Sequence, residues 1–230
     1  MANVNELPEA AQFESNLLEA IMEYSMLKHP FYVAWSEGKL SQSVLGEYAK
    51  QYYAHVRAFP TYVSAVHSRC DDLQIRQELL DNLIEEERGE ENHPELWLRF
   101  AEGLGVGREE VRDAKLLPST EDSVARLKSL TASEDYRDGL AALYAYESQI
   151  PEVARTKREG LKDFYGIEDE RAVSFFRVHE GIDILHQQIE KQILIEKCQT
   201  EDEQRRAVEV AKESAKALWS FLDGVTGTCY

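Results

Sequence analysis

Two imidazoles and a carboxylate, His179, Asp183 and His186, stand four and three residues apart in the run F-F-R-V-H-E-G-I-D-I-L-H. On an α-helix positions i, i+4 and i+7 share one face. The adjoining stripe Val178, Ile182, Leu185, Ile189 and Ile193 is apolar throughout. The spacing therefore predicts one helix that carries three metal-ligand types along the edge of its core-facing surface. Burying a carboxylate without a partner costs several kcal/mol, and a neutral imidazole also needs partners. Iron, manganese or zinc would satisfy both. Taken alone, the triplet also fits a partly solvated polar seam.

Two further segments strengthen the metal reading. In L-L-D-N-L-I-E-E-E-R-G-E-E-N-H, the positions Leu79, Leu83, Glu86, Glu90 and His93 follow steps of four and three, apolar first and ligand-like after. In G-L-A-A-L-Y-A-Y-E-S-Q-I-P, the stripe Leu140, Leu143, Glu147, Ile150 and Ala154 carries a single charge, Glu147. By itself Glu86 fits a solvated charge run, since Glu85 and Glu87 flank it, and Glu147 fits a salt bridge to a core cation. Together the segments supply Glu86, His93, Glu147, His179, Asp183 and His186. Three carboxylates and three imidazoles suffice for two metals sharing a bridging carboxylate, as in carboxylate-rich sites of helical bundles. A purely structural zinc site would more often use cysteines.

The elements that must position these groups read as helices almost throughout: 11–28, 41–57, 61–70, 72–89, 93–104, 121–131, 135–160, 170–197 and 202–222. Ser41 is a helix cap, Gly103, Gly105 and Gly107 end the fifth span, and 105–120 is the longest irregular stretch. No window alternates in the manner of a strand. The ligand candidates come from both halves of the chain and no linker divides it, so an all-α single domain over residues 1–230 is expected. Pro151 removes the hydrogen bond to the carbonyl of Glu147. The helix either kinks beside that carboxylate or ends there. Lys157 continues the 143–147–150–154 series. A core-facing lysine there would be desolvated and its pKa would fall, unless it snorkels outward.

Composition fits a compact enzyme. The chain has 230 residues, net charge -17, and a sequence pI near 4.8. That balance argues against nucleic-acid binding, which needs a basic face. No apolar run is long enough for a membrane span, and the start M-A-N-V-N-E-L-P lacks the features of a signal peptide. Three scattered cysteines (Cys70, Cys198, Cys229) suit a reducing cytoplasm, with Cys70 read as a buried small hydrophobe. Eleven tyrosines stand out. Tyr48, Tyr52, His55 and Phe59 form a stripe, and Tyr32 lies in H-P-F-Y-V-A-W. Most of these aromatics are expected to fill the core, but a tyrosine beside an oxygen-activating metal is oxidisable.

The series E-x6-H, a distant E, then H-x3-D-x2-H resembles the ligand pattern of the heme-oxygenase-like di-metal oxidases, the superfamily of TenA and PqqC. Within it, the blocks H-x-F-Y-V-x-W, S-A-x-H-S-R-C-D-D-L and A-A-L-Y-x-Y-E-S-Q-I-P are similar to the family of the Chlamydia protein associating with death domains (CADD), over nearly the whole length. The resemblance implies a seven-helix-type bundle and a dinuclear iron or iron–manganese centre held by Glu86, His93, Glu147, His179, Asp183 and His186. It implies O2 as co-substrate, an external reductant and a homodimer.

It also implies an oxygen-dependent synthesis of para-aminobenzoate in which the protein consumes itself. A tyrosine side chain supplies the ring and a lysine the nitrogen; the matching positions are Tyr32 and Lys157, with Tyr48 and Tyr146 lining the same site. A death-domain partner has no independent support in this acidic sequence. Two other readings remain: a di-metal oxidase acting on a separate small molecule, and a non-catalytic interaction protein with a structural metal.

Overall fold

A central helix of 28 residues, α3 (Gln42–Arg69), organises the computed structural model, which describes residues 6–227. Its start follows from Ser41, whose hydroxyl accepts the amide of Val44 at 3.3 Å, as expected of a cap. The helix was expected to stop before Pro60, yet it runs through it. Proline costs an interior helix about 3 kcal/mol. Here Val56, Ala58, Phe59, Tyr62 and Val63 are buried on both sides of it, and their burial outweighs that cost.

Around α3 stand α1 (Glu6–Glu23), α2 (Pro30–Ser36), α4 (Leu73–Glu87), α5 (His93–Gly103), α6 (Arg108–Arg112) and α7 (Pro118–Thr131). The second half adds α8 (Tyr136–Glu147), α9 (Ile150–Tyr165), α10 (Glu170–His179), α11 (Ile182–Lys197) and α12 (Glu201–Gly227). A 3-10 turn, Met26–Lys28, links α1 to α2. Among the described residues there is no strand, and the fold is all-α with one continuous apolar core. α12 packs on α8, α7 and α1, while α3 packs on α4, α7, α5 and α8.

The helices number twelve among the described residues, more than the seven-helix expectation, because several predicted spans are broken. The span 135–160 ends at Glu147 and restarts at Ile150. Pro151 therefore sits in the first turn of α9, where a missing N–H costs nothing, and it produces a termination rather than a kink. The Gln149 side chain ties the break to α8 and the start of the chain, donating to Ala145 O at 3.1 Å and accepting from Met26 N at 2.8 Å.

The span 170–197 likewise ends at His179 and restarts at Ile182. This break resets the helical phase: Leu185, expected in the core, is 58% exposed, and the buried face of α11 carries Asp183, Glu190, Ile193 and Leu194 instead. The segment H-P-F-Y-V-A-W, given no element from sequence, is α2, and the expected irregular stretch 105–120 contains α6 and the proline-led start of α7. Cys70 is buried as expected, and Cys229 lies outside the described residues.

Candidate metal centre

The predicted ligands collect at helix ends. Glu86 lies in the last turn of α4, and His93 opens α5 after a turn at Gly89 (φ +88°) and the Asn92 cap. Gly89 adopts a left-handed conformation that side chains disfavour, and that turn swings Glu90 into solvent, off the stripe it was expected to join. Glu147 closes α8, His179 closes α10, and Asp183 and His186 stand in the first turns of α11.

They form two triads whose ligand atoms lie within 4.8 Å of one another: Glu86, His93 and His179 in one, Glu147, Asp183 and His186 in the other. The triplet that opened the sequence reading thus converges on the site, but not as one face of one helix. The break at 180–181 sends His179 to the first triad and leaves Asp183 and His186 in the second.

Local geometry suits cations. The Nδ1 of His93 is 2.7 Å from Oε2 of Glu86, yet the two are not aligned as a hydrogen bond, and Nδ1 has no other partner among the described residues. Oε2 of Glu147 and Oδ2 of Asp183 are buried and equally unpartnered there. His93 and His179 pack with ring centroids 4.3 Å apart. Buried ligand atoms that converge without hydrogen-bond partners are the arrangement a metal ion resolves. The residues therefore fit a dinuclear centre.

Electrostatics point the same way. Burial, then the Asn82 hydrogen bond acting against it, then the charges of Glu86 and Glu85, leave the Glu147 carboxyl raised to about 8. Burial first, and Glu147 and Glu86 after it, push Asp183 well above the carboxylate range. Burial, then His93, hold His179 well below the usual imidazole value. Clustered groups that would each be neutral alone become good ligands once a divalent cation supplies the missing charge.

Beside the triads lies a cavity lined by Glu86, His93, His179, Glu147 and Asp183, and on its other wall by Tyr52, Tyr146 and Lys157. The cavity is narrow and mostly apolar, with Val56, Phe59 and Phe175 completing its lining. Lys157 is 2% exposed, so it does not snorkel, and burial lowers its amine to about 7. Its Nζ sits 4.8 Å from the Tyr52 ring centroid, 5.1 Å from that of Tyr48 and 5.5 Å from that of Tyr32.

The phenols pair off: Tyr32 with Tyr48 at 3.0 Å and Tyr52 with Tyr146 at 2.8 Å, with Tyr48 and Tyr52 stacked at 5.4 Å. Tyr32 and Tyr48 stand one layer behind the cavity wall, reached across Tyr52 and Lys157. Burial raises Tyr32, Tyr48, Tyr52 and Tyr146, so all four remain neutral phenols.

Four residues at the site were not picked out from sequence. Tyr52 was read only as part of an aromatic stripe. Asn82 donates to Glu147 Oε1 at 2.9 Å. Glu85, read as a solvated neighbour, lies 3.1 Å from Nε2 of His186. Glu190 is 3% exposed, with neither carboxylate oxygen partnered among the described residues. Helical spacing could have found two of them: Glu190 falls four residues after His186, and Asn82 four residues before Glu86, each on the same face.

Residues 46–219 match the family described as iron-containing redox enzyme. The chain belongs to this family. It is 42% identical over 222 residues to a 4-aminobenzoate synthase of Nitrosomonas europaea, an alignment covering 93% of this chain and 90% of that one. With a 4-aminobenzoate synthase of Chlamydia pneumoniae it shares 44% identity, over 88% of this chain and 89% of the other. A TenA homolog from Pseudomonas syringae has the same fold, with a TM-score of 0.80 and 16% identity over 94% of this chain and 92% of that one. Membership in the iron-containing redox family agrees with the donor set: imidazoles and carboxylates with no cysteine in either triad. No helix among the described residues is long and apolar enough to cross a membrane.

Proposed function

We propose that this protein is an oxygen-dependent 4-aminobenzoate synthase that draws its product from its own chain, the ring from Tyr32 and the nitrogen from Lys157. The observation that carries this reading is the placement of Lys157. A buried amine lies about one ring's width from Tyr32, Tyr48 and Tyr52, beside two metal-binding triads, in the cavity that those triads line. The names of the relatives support the same product. The alternative is a di-metal oxidase acting on a separate small molecule, which would tolerate Tyr32→Phe and Lys157→Ala.

Glu86, His93 and His179 would hold one metal, and Glu147, Asp183 and His186 the other. When bound, the pair supplies electrons to dioxygen and oxidising power to the adjacent phenols. The first triad has two imidazoles and one carboxylate, and the second the reverse. That asymmetry suits iron in the first and the harder manganese in the second, so an iron–manganese pair is the form we favour over two irons.

The chain's own groups then have separate tasks. Lys157, lowered to about 7, offers a free lone pair to the ring near neutral pH. Tyr48 holds the Tyr32 hydroxyl, and Tyr146 and Tyr52 bring a second phenol pair between it and the triads. The rings of Trp97 and Phe176, with centroids 5.6 and 5.5 Å from Nζ, help to desolvate the amine. One domain, a homodimer and a cytoplasmic setting complete the reading, and light scattering tests the dimer.

The test is anaerobic loading with iron and manganese plus a reductant, then oxygen, followed by mass spectrometry of solution and protein. The expected result is less than one 4-aminobenzoate per chain, with matching loss of mass at Tyr32. An unmodified Tyr32 and no product, or repeated turnover of an added substrate by Tyr32→Phe, would overturn it.

A further inference from the structure

We propose that Glu85 is a positioning residue for the second triad, taking the Nε2–H of His186 so that Nδ1 faces Glu147 and Asp183. The inference rests on the reading of that triad as a metal site.

The His186 ring is spanned between two carboxylates. Its Nε2 lies 3.1 Å from Oε2 of Glu85, and its Nδ1 lies 3.7 Å from Oε2 of Glu147. A neutral imidazole carries one N–H and one lone pair, so a proton donated to Glu85 leaves the lone pair on the nitrogen that faces the triad. The other face of the site uses the same logic with a different anchor. His179 places Nδ1 2.7 Å from the carbonyl of Phe175, one turn back in its own helix, which leaves Nε2 for a ligand. That anchor is backbone and cannot be removed by substitution. The His186 anchor is a side chain from another helix, 43% exposed, and can be.

One turn of α4 accordingly serves both triads. Asn82, Glu85 and Glu86 stand at i, i+3 and i+4 and so share a face. Asn82 donates to Oε1 of Glu147, Glu85 places a carboxylate oxygen 3.1 Å from Nε2 of His186, and Glu86 belongs to the first triad. Such anchors for ligating imidazoles change metal affinity by about 10–100-fold when removed.

Anaerobic titration of the full chain with cobalt(II), whose visible spectrum counts bound ions and reports their coordination, tests the assignment. Wild type should take up two ions. Glu85→Ala should weaken one of them about 10–100-fold and leave the other unchanged. Glu85→Gln keeps an acceptor oxygen and should recover most of the loss. Glu87→Ala removes the same charge from an exposed position nearby and should leave both affinities within about twofold.

Equal affinities in wild type and Glu85→Ala overturn the proposal, as does a uniform weakening no larger than that of Glu87→Ala. A wild-type protein that takes up only one ion overturns the triad reading itself, and the role of Glu85 falls with it. Thermal unfolding of the metal-free variants confirms that each is folded.

Discussion

Replacing Glu190 by glutamine should stabilise the metal-free protein, by an amount that depends on pH in a defined direction. The carboxyl is buried on α11 with neither oxygen partnered among the described residues. Burial first, then Glu147 and Asp183, raise it well above the carboxylate range. An acid whose folded-state pKa is raised favours the fold below its unfolded value and loses that advantage as pH rises.

Each pH unit between the unfolded value and the raised folded value costs the fold about 1.4 kcal/mol. Glutamine is nearly isosteric and has no proton to retain. Glu190→Gln should therefore gain more stability at pH 7 than at pH 5, by up to about 2.7 kcal/mol or roughly 5–11 °C in Tm for a chain of this size. The gain should shrink as pH falls toward the ordinary carboxylate range. Urea unfolding with chelator present, at both pH values, measures it. A variant that gains nothing at pH 7, or gains the same at both pH values, refutes the reasoning that Glu190 is held without a partner.

Lys157→Met should behave in the complementary way. The amine's folded value is about 7 against an unfolded value of about 10.4, so its burial costs about 4 kcal/mol at pH 7 and less than about 1 kcal/mol at pH 10. The variant should be more stable at neutral pH, with the gain fading through that window in denaturant titrations, and it should form no 4-aminobenzoate. In the wild type, product formation should rise as pH passes through 7 and the amine loses its proton, which stopped-flow mixing with oxygen can follow. Gly160→Ala would put a methyl 2.6 Å from Cδ1 of Trp35, the residue whose Nε1 donates to Lys157 O at 3.2 Å, and should cost about 1–3 kcal/mol by thermal unfolding. Tyr52→Phe keeps the stack on Tyr48 but loses the 2.8 Å bond to Tyr146; about 1 kcal/mol of stability should go, and peptide mapping should find Tyr32 intact in a larger share of chains.

Much of the site was legible because a helical period fixes which residues share a face before any packing is known. Glu147, the lone charge on an apolar stripe, had to point inward, and it does. The reading failed where a helix stops. Nothing in the periodicity of 170–197 marks a break at 180–181 except Gly181, and beyond that break Leu185 faces outward. Pro151 left kink and termination undecided, because both remove the same hydrogen bond; the termination depends on the Gln149 side chain bonding Met26, 123 residues earlier. Glu85 read as a solvated charge because its partner, His186, is contributed by a distant helix.

The sequence by itself determined the helical class, the six ligand candidates and the inward aim of Glu147, since each depends on residue type and a local repeat of 3.6; for Lys157 it left core and solvent both open. Tertiary structure alone decided how the ligands divide into two triads, and that Lys157 faces Tyr52, Tyr48 and Tyr32 beside the cavity those triads line. Those are relations between side chains on separate helices, set by where each helix ends and how it packs, and no spacing along one chain encodes them.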